Sequence, residues 1–406
     1  LHLMSEEDAL SKVQKYLHRQ GIDRLSPIAR KVEREGTPNR RNVVLVFMES
    51  MSANLMGTFG SDKKLTPYLD SLYQQSLSFS HFYSSGIHTN HGIYSTLYSF
   101  PAIMKRNAMK GSVIPVYSGL PTVLQENGYC NLFFMTHESQ YDNMNAFLRT
   151  NGFDEIYAQE NYPSEKVVNS FGVQDDFMYQ YALPILNERA GTGNPFFSVL
   201  LSISNHPPYV IPPYFHPHSD VLEEQIVEYA DWSIRQFMQA AEKQPWFDNT
   251  IFVFLGDHGK MVGTPECEMP QSYNHIPLMI YGKDIKPGVY DGFGGQVDVS
   301  PTLLGLLNIS YLQNNFGVNL LEEERPCMFF TADNLIGARD SVNMFIYSPD
   351  SQQEFKYKLE EGKLHAATGT DEEAFRNLKD YCFSMLQSTE SLVKEHKTLD
   401  KVSVKK

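Results

Sequence analysis

Short runs of apolar residues recur along the chain, and each is followed by polar side chains. Four of them are NVVLVFM (42–48), NLFFMT (131–136), FFSVLLSIS (196–204) and TIFVFLG (250–256). Uninterrupted runs of this length are typical of strands buried on both faces of a parallel sheet. Segments with apolar residues at helical spacing, such as IVEYADWSIRQFMQAAEKQ, lie between these runs. This alternation predicts an α/β fold with a mostly parallel central sheet flanked by helices.

The pattern changes at the two ends of the chain. Near the N-terminus, SEEDALSKVQKYLHRQ (5–20) combines a capping serine, acidic residues and helical spacing, and a charged linker follows it. After about residue 320 the pattern indicates short antiparallel strands and then a closing helix. The sequence therefore predicts an N-terminal helix and linker (1–41), a central α/β domain (42–320) and a small C-terminal α+β subdomain (321–406).

Polar residues with catalytic potential follow the predicted strands. Glu49 follows the first run, His137 the second, His206 the third, and Asp257 with His258 the fourth. The carboxyl ends of parallel strands meet at one edge of a sheet, where α/β proteins bind their ligands. We therefore expect these side chains to lie near one another.

Thr89 lies in the stretch SSGIHTNHG (84–92), which leads into a segment with helical spacing. On its own this threonine is most simply a helix N-cap. Together with Glu49, Asp257 and His258 it forms a set of ligands suited to Mn²⁺, Mg²⁺ or Zn²⁺. A metal in contact with the threonine oxygen would lower its pKa, so that Thr89 could attack phosphorus.

Composition limits the partners of the chain. Its 34 Lys and Arg residues against 48 Asp and Glu give a formal charge of -14, which repels the phosphates of nucleic acids. The cysteines Cys130, Cys267, Cys327 and Cys382 form no CxxC pair, so we expect neither a structural zinc site nor a dithiol redox site, and their disulfide state stays open. No stretch approaches the roughly 20 apolar residues of a membrane-spanning helix.

Seven blocks of sequence occur in a specific order. They are NVVLVFMES, LTPYLDSL, FSHFYSSGIHTNHGIYSTLYSFP, SISNHPPY, FVFLGDHG, NHIPLMIYG and QVDVSPTLLGLLNI. In this order they resemble the sulfatase-like branch of the alkaline phosphatase superfamily. Within that branch they most resemble the extracellular catalytic domain of lipoteichoic acid synthases and related phosphoglycerol transferases. The resemblance extends from about Asn42 to Leu320.

The resemblance implies roles for individual residues. Glu49, Thr89, Asp257 and His258 match the metal ligands of the family, and Thr89 also matches its nucleophile. His206 matches a histidine near the transferred head group, which could bind a phosphate oxygen or protonate the leaving alcohol.

Four more histidines are candidates for the substrate pocket. His88 and His91 flank Thr89, His137 ends a predicted strand, and His275 precedes one. We expect His91, His137 and His275 to bind substrate together with His206.

The resemblance also implies a reaction and a location. The reaction is transfer of a phosphoglycerol-type group, through a covalent phosphothreonine, from a glycerophospholipid or other phosphodiester donor to an alcohol or glycan acceptor. One divalent metal ion is implied, with Mn²⁺ the first choice and Mg²⁺ or Zn²⁺ as alternatives. The catalytic domain would face the extracytoplasmic side, tethered to the cell membrane by upstream segments outside this chain.

Competing functions stay open. TNHGI lacks the proline and arginine of the C/S-x-P-x-R motif of sulfatases, which disfavours hydrolysis of sulfate esters. Arg235 stands where two-metal relatives carry a second histidine, which favours a single metal. The alternatives are a lipid phosphoethanolamine transferase, a phosphodiesterase or sulfatase-like hydrolase, and a catalytically silent binding domain.

Overall fold

A computed structural model describes residues 1–368 and 372–402. Within these residues the α-helices are α1 (Glu6–Tyr16), α2 (Pro67–Gln75), α3 (Thr89–Tyr98), α4 (Leu120–Glu126), α5 (Met144–Thr150), α6 (Asp175–Ala190), α7 (Leu222–Ala241), α8 (Gln271–Asn274), α9 (Val299–Leu306) and α10 (Glu372–Lys394). The strands are β1 (Arg30–Val32), β2 (Asn42–Met48), β3 (Leu77–Tyr83), β4 (Cys130–Phe134), β5 (Glu155–Tyr157), β6 (Val167–Asn169), β7 (Gly172–Val173), β8 (Phe196–Leu201), β9 (Thr250–Gly256), β10 (Leu278–Tyr281), β11 (Gly288–Gly295), β12 (Tyr311–Gln313), β13 (Met328–Thr331), β14 (Ile336–Arg339), β15 (Asn343–Ser348), β16 (Gln353–Glu360) and β17 (Lys363–Ala366).

Eight strands form the central sheet in the order β11-β3-β10-β9-β2-β8-β4-β5. Strand β10 is antiparallel to both of its neighbours, and the other neighbouring pairs are parallel. Strands β2, β8 and β9 are buried along their whole length, which explains why their sequences show no apolar-polar alternation. The predicted α/β fold with a mostly parallel sheet is confirmed.

The C-terminal part contains an antiparallel sheet in the order β13-β14-β15-β16-β17. Helix α10 packs against this sheet, and its Phe383 ring lies 4.8 Å from the ring of Tyr347. The antiparallel strands and closing helix predicted after residue 320 are therefore present. The residue boundaries between the three parts stay a prediction.

The N-terminal segment packs against two later parts of the chain, helix α10 and strand β12. Helix α1 packs on α10, where the rings of Tyr16 and Tyr381 lie 5.0 Å apart. The segment predicted as a linker contains strand β1, which pairs antiparallel with β12. Among the described residues, no helix combines the length and apolar character that a bilayer crossing requires.

Candidate active site

The central strands β2 and β9 place two acidic residues next to each other. The two strands are parallel neighbours, with Met48 opposite Gly256 at their carboxyl ends. Glu49 and Asp257 are the next residues of the two strands, so they leave the sheet side by side. Helix α3 begins with Thr89 at the same edge of the sheet.

Four predicted metal ligands converge at this edge. The Oγ1 atom of Thr89 lies 2.8 Å from Asp257 Oδ2 and 3.1 Å from Glu49 Oε2. The Nε2 atom of His258 lies 3.5 Å from Asp257 Oδ2 and 3.5 Å from Glu49 Oε1. The donor atoms of Glu49, Asp257 and His258 all lie within 4.8 Å of one another, as ligands of one metal ion must.

The electrostatics of the cluster suit a divalent cation. Burial and the neighbouring charge of Glu49 raise the pKa of Asp257 well above its ordinary value. Burial opposes the charge of Glu49 as well, but the hydrogen bond and charge of His258 lower the pKa of Glu49 to about 2. Two buried carboxylates therefore share one imidazole, and a bound cation would supply the missing positive charge.

Hydrogen bonds from the backbone fix the orientation of these ligands. Asp257 Oδ1 accepts the backbone N–H groups of Ser50 (2.9 Å) and His258 (2.8 Å), which leaves Oδ2 facing Thr89. The Nδ1 atom of His258 lies 2.6 Å from the carbonyl oxygen of Gly259, so the ring presents Nε2 to the two carboxylates. Such contacts behind a ligand hold it in the geometry that metal binding requires.

The interpretation of Thr89 as the N-cap of helix α3 is wrong by one position. His88 occupies the capping position and Thr89 is the first helical residue. The backbone N–H groups of His91 and Gly92 both donate to the carbonyl oxygen of His88. A helix N-terminus directed at this edge favours the binding of a phosphate group.

Two of the other predicted histidines lie near Glu49. His206 keeps its Nδ1 atom 2.6 Å from the carbonyl oxygen of Pro207, and its charge helps to lower the pKa of Glu49. Burial lowers the pKa of His137, while the charge of Glu49 raises it. The Nε2 atom of His137 is buried without a hydrogen-bond partner among the described residues. Both histidines are therefore available to a ligand at this edge.

Two further histidines are engaged in packing. The Nε2 atom of His91 lies 2.9 Å from the carbonyl oxygen of Arg106, and that of His275 lies 2.8 Å from the carbonyl oxygen of Ser80. The ring of His275 also stacks on Tyr83 at 5.2 Å. Burial lowers the pKa of each ring to about 4. These structural contacts argue against a substrate-binding role, and we do not assign His91 or His275 to the pocket.

His88 lies at the rim of the site. Its Nε2 atom is 2.6 Å from Asp333 Oδ1, and both side chains are about half exposed. Asp333 belongs to the connection between β13 and β14. The C-terminal sheet therefore reaches the edge of the candidate active site, which the sequence did not predict.

A group around Lys260 was also missed by the sequence analysis. The Lys260 Nζ atom donates to Asn205 Oδ1 at 2.6 Å and lies 5.4 Å from the ring centre of Tyr209. Burial lowers the pKa of this lysine to about 8, against the raising effect of Glu223 and Glu49. Lys260 follows GDHG directly, and that position was the available signal.

Comparisons with known proteins identify relatives of this chain. The model of the sulfatase family matches residues 41–309. The chain is 25% identical over 355 residues to a lipoteichoic acid synthase-like protein, YvgJ, of Bacillus subtilis (strain 168), covering 79% of this chain and 55% of that protein. It is 23% identical over 393 residues to the lipoteichoic acid synthase of Staphylococcus aureus (strain NCTC 8325 / PS 47), covering 85% and 57%. The chain thus spans little more than half the length of these curated relatives.

Solved structures share the fold over nearly the whole chain. A protein in the alkaline phosphatase superfamily from Vibrio parahaemolyticus superposes with a TM-score of 0.86 at 25% identity, covering 97% of both chains. The lipoteichoic acid synthase LtaP from Listeria monocytogenes superposes with a TM-score of 0.75 at 22% identity, covering 95% of this chain and 98% of LtaP. At 22% identity, the likeness to LtaP shows a shared fold only.

Proposed function

Because this chain belongs to the sulfatase family of the alkaline phosphatase superfamily, we propose that it transfers a phosphoglycerol-type group through a covalent phosphothreonine on Thr89. The position of the Thr89 hydroxyl carries this proposal, since it lies at the start of α3 within hydrogen-bond distance of Asp257 and Glu49. The relatives named lipoteichoic acid synthase favour a glycerophospholipid donor and an alcohol or glycan acceptor.

Glu49, Thr89, Asp257 and His258 would hold one divalent cation. We propose Mn²⁺, with Mg²⁺ and Zn²⁺ as alternatives that the same oxygen and nitrogen donors accept. When bound, such a cation lowers the pKa of the threonine hydroxyl and offsets the negative charge of the transferred group.

The first step forms a bond between Thr89 Oγ1 and phosphorus and breaks the bond from phosphorus to the lipid oxygen. The hydroxyl proton passes to Asp257 Oδ2, which lies 2.8 Å from Thr89 Oγ1. His206 protonates the leaving oxygen through Nε2, because its Nδ1 atom is engaged with the carbonyl oxygen of Pro207.

The second step reverses these roles. The acceptor hydroxyl attacks phosphorus and gives its proton to Nε2 of His206, while the bond from phosphorus to Thr89 Oγ1 breaks and the threonine regains its proton from Asp257. The helix N-terminus of α3 favours the negative phosphate throughout.

We further propose that the active site faces the extracytoplasmic side of the membrane. The resemblance to extracellular catalytic domains supports this location. The curated relatives extend well beyond the matched segment, which leaves room in such proteins for a membrane anchor.

Mass spectrometry of the intact chain tests this function. We expect a Thr89 adduct after incubation with phosphatidylglycerol and Mn²⁺, whose mass identifies the transferred group. Thr89→Ala should abolish both the adduct and turnover. Thr96→Ala is the matched control, because Thr96 lies on the same helix and its buried hydroxyl has no hydrogen-bond partner in the described part of the chain.

The adduct also separates the alternatives. A phosphoethanolamine adduct from phosphatidylethanolamine would favour a lipid phosphoethanolamine transferase, and release of product to water alone would favour a phosphodiesterase. Turnover that persists in Thr89→Ala would rule out the proposed nucleophile.

A further inference from the structure

Lys260 lies two residues after the predicted metal ligand His258 and, in the described part of the chain, pairs with no acidic side chain. Its Nζ atom contacts a neutral amide oxygen, that of Asn205, and the ring of Tyr209. Among the described residues it forms no ion pair, although Glu49, Asp257 and His258 form close charged contacts nearby. A partly buried ammonium group loses hydration, and its remaining hydrogen-bonding capacity favours an anionic ligand.

A series of hydrogen bonds connects Lys260 to the site. The backbone N–H of Lys260 donates to Ser52 Oγ at 2.8 Å. The side chain of Asn205 is buried, and its Nδ2 atom donates to the carbonyl oxygen of Ser50 at 3.2 Å. Ser50 follows Glu49 directly and donates to it through Oγ at 3.0 Å. The ammonium group is therefore held in a fixed position by contacts that leave its charge uncompensated.

Lys260 is linked to the carboxylate that Thr89 contacts. Asn205 and Ser50 connect its ammonium group to Glu49 Oε1, and Glu49 Oε2 lies 3.1 Å from Thr89 Oγ1. A phosphate placed for attack by Thr89 would therefore come close to this ammonium group.

We propose that Lys260 binds a non-bridging phosphate oxygen of the donor, and the same oxygen in the phosphothreonine formed from it. The inference rests on the proposed phosphoryl transfer, which places that phosphate at Thr89. Lys260 makes and breaks no covalent bond in this role. It donates hydrogen bonds to the oxygen whose negative charge must be held while the bonds to phosphorus exchange.

Binding of inorganic phosphate tests this role without requiring turnover. The dissociation constant is measured by isothermal titration calorimetry at one fixed low Mn²⁺ concentration, for the full chain and for Lys260→Met, Lys260→Gln and Lys260→Arg. We expect the two neutral variants to bind phosphate about tenfold more weakly or worse, because one charge-assisted hydrogen bond is lost. Lys260→Arg should retain most of the affinity.

Lys166→Met is the matched control. Lys166 also lies over an aromatic ring, 5.5 Å from the centre of Phe177, but it is exposed on a different part of the surface. Its loss should leave phosphate binding unchanged. Thermal unfolding of every variant shows whether the fold is retained, and Lys260→Gln preserves a polar group if the methionine variant fails to fold.

The outcomes separate this inference from the proposed function. Equal phosphate affinity in the folded neutral variants and the unsubstituted chain, or no phosphate binding by the unsubstituted chain, would overturn the role of Lys260. Lysine-dependent phosphate binding without any Thr89 adduct would instead contradict the covalent mechanism. If both hold, Lys260→Met should slow formation of the Thr89 adduct at least tenfold, and Lys166→Met should not.

Discussion

Gly92 allows the backbone of α3 to pass directly against the carbonyl group of Asp257. A Cβ atom on Gly92 would lie 2.2 Å from the Asp257 carbonyl oxygen and 2.9 Å from its carbon. Because this obstacle is backbone, α3 would have to shift and carry Thr89 away from the carboxylates. We expect Gly92→Ala to lower the free energy of unfolding by about 1–3 kcal/mol, as measured by urea denaturation. Adduct formation at Thr89 should fall about a hundredfold.

Gly288→Ala is the control for this prediction. Gly288 begins strand β11, and a Cβ atom there would meet no heavy atom within 4 Å. We expect its stability and activity to remain close to those of the unsubstituted chain. A Gly92→Ala variant with the same behaviour would show that the close approach of α3 is not required.

Single residues also show what sequence can and cannot predict about a site. Glu49 and Asp257 follow buried parallel strands, so their proximity could be predicted from the strand pattern. The direction of a histidine ring could not, since His275 stacks on Tyr83 rather than facing Thr89. Lys260 was missed because only the fold shows that no acidic side chain of the described residues pairs with it.

At the scale of elements, an ion pair attaches strand β5 to the end of helix α6. The Arg189 Nε atom donates to Glu155 Oε2 at 2.7 Å, and this hydrogen bond lowers the pKa of Glu155 to about 2, below its ordinary value of 4.5. The carboxylate therefore stabilises the fold above pH 4.5, and the contribution is lost as the pH falls towards 2. At pH 7, we expect Glu155→Gln to lower the free energy of unfolding by about 1 kcal/mol, since the pair is partly exposed.

Urea unfolding at pH 7, 4.5 and 3 tests this prediction. The difference between Glu155→Gln and the unsubstituted chain should shrink as the pH falls from 4.5 to 3. Glu188→Gln is the matched control, because Glu188 contacts the same Arg189 at 3.1 Å but is 76% exposed. It should have little effect at any pH. A difference for Glu155→Gln that stays constant with pH would contradict the assigned cause.

The pattern of apolar residues predicted the positions of strands better than it predicted how the strands pair. Strands β2 and β9 begin and end where the apolar runs do, whereas β8 ends at Leu201, before the predicted run does. The antiparallel direction of β10 has no counterpart in its sequence. The link between helices α7 and α2 is also absent from the sequence pattern, because the Asp231 carboxylate on α7 accepts the backbone N–H groups of Tyr68 and Leu69 at the start of α2.

At the scale of the whole molecule, a buried ion pair joins the C-terminal part to the turn between β11 and α9. Arg325 donates from Nη2 to Asp298 Oδ1 at 2.7 Å, and Asp298 lies directly before α9. It also donates from Nη1 to the hydroxyl of Tyr381 on α10 at 2.8 Å. The side chains of Arg325 and Asp298 are 1% and 0% exposed, so water cannot replace a lost partner.

Removing this arginine should destabilise the whole chain. We expect Arg325→Met to lower the free energy of unfolding by about 3–5 kcal/mol in urea denaturation, because Asp298 would remain buried without a cation. Lys283→Met, which removes an exposed pair with Asp248 at 3.2 Å, should cost less than about 1 kcal/mol. Since Asp298→Asn removes the stranded charge, the double variant should be less destabilised than the sum of the two single variants. Strictly additive costs would show that the two side chains stabilise the molecule independently.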